Sequence, residues 1–188
     1  MSNRESQGGR TTPKEQWAEI PFRWAYGGEG SAGRFLIVAE GKGRWRFSAR
    51  LDWVPEVAGD EEHGDFVEGL WERDVVELFL QTDDADDCYL EVNLAPSGAW
   101  WAVQLEGVRQ RVHLLPELVR VDAVVMLEDA WEIEATISLP SLDSRLVGNV
   151  TAISGVAHRR YASWADLGGK RPDFHRPEAF HPLPVTSA

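Results

Sequence analysis

Between Arg44 and Trp53 the chain alternates without a break. Trp45, Phe47, Ala49, Leu51 and Trp53 fall on one side, and Arg44, Arg46, Ser48, Arg50 and Asp52 on the other. A period of two sustained over such a length marks a strand with one buried and one wet face, because helical apolar positions recur every three or four residues. The run RFLIVAE at Arg34–Glu40 precedes it through Gly41-Lys42-Gly43, so the two stretches read as a hairpin. The same reasoning predicts strands at Asp74–Gln81, Cys88–Ala95, Ala99–Glu106, Leu118–Leu127, Ala130–Ser138 and Asn149–His158, with a turn at Pro96-Ser97-Gly98. One short helix is expected where Ser138-Leu139-Pro140-Ser141-Leu142 leads into Asp143–Val147, with proline in its first turn. About ten strands and so little helix predict an all-β fold, an antiparallel β-sandwich of two packed sheets.

Composition narrows the partners. The net charge of -12 and the lack of a Lys/Arg run argue against nucleic acid and against an anionic membrane surface. The single cysteine, Cys88, cannot form an internal disulfide. Residues 1–16 are polar, with Gly and Pro, and read as a disordered tail; residues 17–188 read as a single domain. No signal-peptide stretch and no apolar run of roughly 18 residues is found, which predicts a soluble, cytoplasmic protein as the sequence is written. Nine tryptophans are heavy usage for 188 residues, and flat aromatic faces are enriched where a ligand meets protein.

The strand from Glu72 is the most informative locally. Glu72, Asp74, Val76, Leu78 and Leu80 share one face; Arg73, Val75, Glu77, Phe79 and Gln81 share the other. A carboxylate placed between Val75 and Phe79 must be paired or face a ligand, since burying it alone is costly. Glu91 reads instead as a solvated strand residue. Trp100 and Trp101 point to opposite faces, one into the core and one exposed or covered by a loop. The acidic loops at 60–65 and 83–87 offer oxygen ligands for calcium but lack the Asp-x-Asp-x-Asp-Gly pattern, and a solvated acidic turn is the expected state. His158, His175 and His181 show no metal-binding spacing. His175 is expected to anchor the C-terminal chain by hydrogen bonds.

Three stretches carry a resemblance. They are GLWERDVVELFL at 69–80, YLEVNLAPSGAWW at 89–101, and YASW at 161–164 followed by DFHRPEAF at 173–180. In this order they resemble the DOMON-like family 9 carbohydrate-binding modules, over roughly Trp17 to Val185. The resemblance implies an immunoglobulin- or jelly-roll-like sandwich in which two aromatic rings clamp a sugar. It places Trp71 and Trp164 as the rings and Glu77 as the carboxylate beside them. The position where the family has an asparagine, three residues before the second tryptophan, is Tyr161 here. Arg109 is the candidate arginine partner of the acid, and Asn93 a further polar contact.

A sugar needs flat apolar contacts and a belt of fixed polar groups, which these residue types supply. The function expected is a non-catalytic carbohydrate-binding domain without a cofactor. The alternative is a DOMON-like sensor or binding protein for another small ligand: a cell-wall precursor, an amino sugar or haem. Met126, in an apolar strand, is a poor haem ligand. A third reading, a glycosidase using two of Glu72, Asp74 and Glu77, requires paired carboxyl groups across one cleft.

Overall fold

A computed structural model describes residues 16–24, 30–56, 60–81, 88–139 and 146–188, with the side chains of 22–24 set aside. Among them are thirteen strands: β1 Ala18–Trp24, β2 Ser31–Gly41, β3 Arg44–Leu51, β4 Val75–Gln81, β5 Cys88–Leu94, β6 Trp100–Glu106, β7 Gln110–Leu114, β8 Val119–Met126, β9 Trp131–Ser138, β10 Val147–Ser154, β11 Arg160–Ser163, β12 His181–Pro182 and β13 Val185–Ser187.

The strands form two sheets. The first runs β1-β2-β3-β9-β8, and the second β7-β6-β5-β4-β10-β11-β1. Strand β1 belongs to both. Its first half pairs with β2, the ladder shifts register between Ile20 and Pro21, and Phe22 then pairs with Ala162 of β11. Proline lacks the N–H that a continuous ladder would use, so the break falls where the chain changes sheet. The C-terminal chain returns to both sheets, β12 beside β10 and β13 parallel to β2.

The alternation read from the sequence sets what lies between the sheets. Phe35, Ile37, Phe47, Leu51, Trp131 and Ile133 of the first sheet meet Val76, Leu78, Leu80, Val92, Leu94 and Val150 of the second. All are 2 % exposed or less. The all-β antiparallel sandwich is thus the observed fold. The predicted strand Asn149–His158 ends earlier, at Ser154, where Gly155 takes φ +81 and turns the chain.

The helix expected over 138–147 falls mainly on 140–145, outside the described residues; its flanks, Ser138 and Val147, belong to β9 and β10. The described helical segments are two 3-10 turns, Leu70–Glu72 and Pro177–Ala179. Residues 1–15 and the acidic loop 83–87 also lie outside the described residues. Among the described residues no helix is long and apolar enough to cross a membrane.

The second sheet has a further buried layer on its outer face. Phe79, Tyr89, Trp101, Val103 and Leu105 are covered there by Leu70 from one side and by Ala165, Leu167, Phe174 and Phe180 from the C-terminal segment. Asn149 ties that segment down. Its Nδ2 donates to Ser163 Oγ (2.9 Å), and its Oδ1 accepts from the Ala165 N–H (2.9 Å).

Candidate functional site

The covered outer face leaves one hollow, of about 300 Å³, near the small end of the range for ligand sites. Each strand contributes by register. Glu77 of β4 lies between Thr151 of β10 and Asn93 of β5. Phe79 faces Glu91, and Ile153 faces Tyr161 of β11. The 3-10 turn begins after Gly69, at φ +93, so that Leu70 plugs the layer and Trp71 reaches the hollow. Arg109 stands in the β6–β7 turn and Arg111 on β7; Pro172, Phe174 and His175 close the far wall.

The two carboxyl groups are almost fully buried, Glu77 at 3 % exposed and Glu91 at 5 %. Glu77 Oε2 accepts from Thr151 Oγ1 at 2.7 Å, and Glu91 Oε1 accepts from Asn93 Nδ2 at 2.9 Å. Burial, with the neighbouring Glu91 second, pushes Glu77 up to about 8; the Thr151 hydroxyl, Arg159 and Arg109 hold it back. Burial also raises Glu91, against the pull of Asn93, Arg111 and Arg109. His175 is lowered to about 4, by burial first and then by Arg109. At neutral pH Glu77 therefore carries its proton and the imidazole is uncharged.

A hydrogen-bonded chain links these groups to the rim. The Arg109 N–H donates to Tyr89 Oη (3.3 Å), and that hydroxyl lies 2.8 Å from His175 Nδ1. With Tyr89 donating to Nδ1, the ring proton sits on Nε2, which faces Glu91 Oε2 at 3.8 Å. Arg109 adopts φ +62, a left-handed conformation costing a non-glycine residue about 1–3 kcal/mol. The Tyr89 bond and the Asp173 ion pair (2.9 Å) hold it there.

Two further guanidinium groups line the hollow. Arg111 lies 5.3 Å from the Trp71 ring centre and 5.1 Å from that of Trp101, and pairs with Glu68. Arg159 lies 5.4 Å over the Tyr161 ring and donates Nη2 to the Trp71 carbonyl; its Nε is buried and has no partner. The hollow thus offers apolar faces on Trp71, Tyr161 and Phe174 beside a dense set of donors and acceptors.

Of the six residues singled out from sequence, Trp71, Glu77, Arg109 and Tyr161 line this hollow, whereas Trp164 and Asn93 do not. The expected Trp71–Trp164 clamp is corrected by strand geometry. Ser163 and Tyr161 face outward, so Trp164 falls on the inner side. There it meets Phe35 of the intersheet core edge-on at 5.9 Å, and His181 at 6.4 Å. Trp71 instead packs on Trp101 at 5.1 Å. Asn93 is fully buried beneath the site and acts on Glu91.

The solvated reading of Glu91 is also corrected. Its cross-strand neighbours are Phe79 and Val103, and the C-terminal segment covers the face it occupies. Trp100 enters the intersheet core, and Trp101 the covered outer layer. His175 does make the anchoring bond expected of it, and lines the hollow as well.

Arg111 and Arg159 went unnoticed in sequence. Arg159 stands two residues before Tyr161, on the same face of an extended chain, which was a usable signal; Arg111 depends on the β6–β7 register, and no local pattern reveals it. Among the described residues no group of three or more His, Cys, Asp or Glu side chains is placed to hold a metal ion. The acidic loop at 60–65 bonds to itself, Glu62 N–H to Asp65 Oδ2 at 2.9 Å. Met126 is 49 % exposed at the end of β8, away from the hollow.

No protein-family model matches the chain, and no curated protein matches its sequence. Solved structures do. A candidate carbohydrate-binding protein from Bacteroides uniformis superposes with a TM-score of 0.71 at 18 % identity, covering 93 % of this chain and 87 % of that one. A family 9 carbohydrate-binding module from Caldicellulosiruptor kristjanssonii, solved in complex with glucose, superposes at 0.63 with 12 % identity, covering 99 % and 93 %. At such identities the likeness speaks for architecture, and the fold of this chain is that of the family 9 carbohydrate-binding modules.

Proposed function

We propose that the protein is a non-catalytic carbohydrate-binding module that holds one sugar unit in the hollow on the outer face of its second sheet. The observation that carries this reading is the lining itself. Trp71, Tyr161 and Phe174 offer ring surface to sugar C–H groups, while Glu77, Arg109 and Arg159 offer hydroxyl partners in the same hollow. The likeness to a module solved with glucose supports it. In place of two opposed tryptophans, Trp71 and Tyr161 supply the aromatic contact.

Titration of the intrinsic tryptophan fluorescence with a panel of mono- and disaccharides tests the reading. Trp71 meets Trp101 edge-on at the wall, so a bound sugar changes the emission. A saturable change is expected in the wild type. Trp71→Ala should weaken binding by at least ~10-fold, the order expected for losing an aromatic contact and its buried area. Trp164→Ala, if folded, should retain it. A flat response of folded wild-type protein to the whole panel contradicts the proposal.

A further inference from the structure

The chain carries a net charge of -12, yet three of its 19 Lys and Arg residues converge on one hollow. Two of the three are already matched. Arg109 pairs with Asp173 at 2.9 Å and Arg111 with Glu68, both acids standing outside the lining. Arg159 differs. Among the described residues no carboxylate comes within 4 Å of its guanidinium, although Glu77 lines the same hollow. Among the described residues it meets the Trp71 carbonyl and the Tyr161 ring, and its Nε has no acceptor there.

We propose that the sugar accepted here bears a carboxylate, as a uronic acid does, and that this carboxylate seats on Arg159. The proposal rests on the carbohydrate reading above and adds the ligand's charge class to it. A guanidinium with its Nε buried away from any acceptor and no counter-charge beside it is unfavourable, and a neutral hydroxyl satisfies one N–H without neutralising it. A carboxylate does both, because its two oxygens match the planar fork of donors. The Trp71 carbonyl and the Tyr161 ring hold the guanidinium in one orientation, so it is ordered before the ligand arrives. Glu77 does not compete for it, since its carboxyl is bonded to Thr151 and retains its proton at neutral pH.

The test is isothermal titration of the whole chain at pH 7 and about 0.1 M salt, where screening is moderate, with D-glucuronate, D-galacturonate, D-glucose and D-glucose 6-phosphate. At least one uronate should bind ~10-fold or more tightly than glucose, the order of one charge-assisted pair. Arg159→Gln should remove that preference, lowering uronate affinity ~10-fold or more beyond whatever it takes from glucose affinity, and Arg159→Lys should keep part of it. An unchanged melting curve shows that the variants are folded. Glucose binding as tightly as both uronates overturns the carboxylate assignment and leaves the carbohydrate reading standing. A preference for the phosphate over both uronates overturns it too. If no sugar binds folded wild-type protein, both readings fall.

Discussion

The two sheets carry the same residue types on their outer faces and use them differently. On the first sheet, Arg46 faces Glu134 at 3.4 Å, Arg50 reaches Glu132 at 3.0 Å and Asp52 at 3.1 Å, and Arg44 reaches Glu40 at 3.4 Å. These pairs are wet, with side chains 27–56 % exposed. Pairs of this kind contribute roughly 0–1 kcal/mol and are the ordinary dress of a solvated sheet. On the second sheet the 3-10 turn and the C-terminal segment wall the face in, Glu77 and Glu91 lose their water, and Arg159 has no carboxylate within reach among the described residues. Both faces have a hollow of similar size, about 320 Å³ on the first and 300 Å³ on the second. Size therefore does not separate them. What separates them is whether each charge has a partner within the described residues.

The sharpest way to break this comparison is through pH. Folded Glu77 titrates at about 8 against an ordinary 4.5, so the folded chain keeps a proton that the unfolded chain releases between those values. Stability should fall across that window by up to ~1.4 kcal/mol per pH unit from this one group. Glu77→Gln should lose this group's share of the slope, so that its stability gains on the wild type as pH rises from 5 toward 8. Glu132→Gln on the open face should leave the slope in place. Urea unfolding between pH 5 and 9 measures both, and parallel slopes for all three proteins would erase the distinction between the faces.

The next largest effect separates the two tryptophans. Trp164→Ala opens a gap beside Phe35 and should cost roughly 2–4 kcal/mol of stability. Trp71→Ala, at the wall of the hollow, should cost less stability and more affinity. A smaller loss of about 1 kcal/mol is expected for Tyr89→Phe, which removes the hydroxyl between the Arg109 N–H and His175. Thermal unfolding should register it, and the Arg109 turn should become more mobile by amide exchange. Smallest is Arg50→Ala, whose solvated pairs should be worth under ~1 kcal/mol in the same assay.

Much of the fold was legible because alternation is a local signal. Trp45, Phe47, Ala49 and Leu51 announce their face without reference to any partner. The same signal placed Glu77 with Phe79 and not with Leu78, and so put an acid on a face that had to be explained. Five strands went unforeseen, and they are short or irregular: β1, whose ladder shifts register between Ile20 and Pro21, β7, whose five residues are all exposed, β11 with four residues, β12 with two and β13 with three. They owe their pairing to neighbours distant in sequence. The site was legible only in part for the same reason. Glu91 looks like any polar residue in an alternating strand until Phe174 and Phe180 are brought over it from the far end of the chain. Trp164 matched a family position, but its face depends on the parity of β11, which is counted from its pairing with β10.

A crystal structure with a bound monosaccharide would show where the sugar sits. The sugar ring is expected against Trp71, within hydrogen-bond reach of Glu77 and with Arg159 at its charged or polar edge. A sugar lying instead on the first sheet, beside Trp17 and Arg34, with the hollow of the second sheet empty, would contradict it.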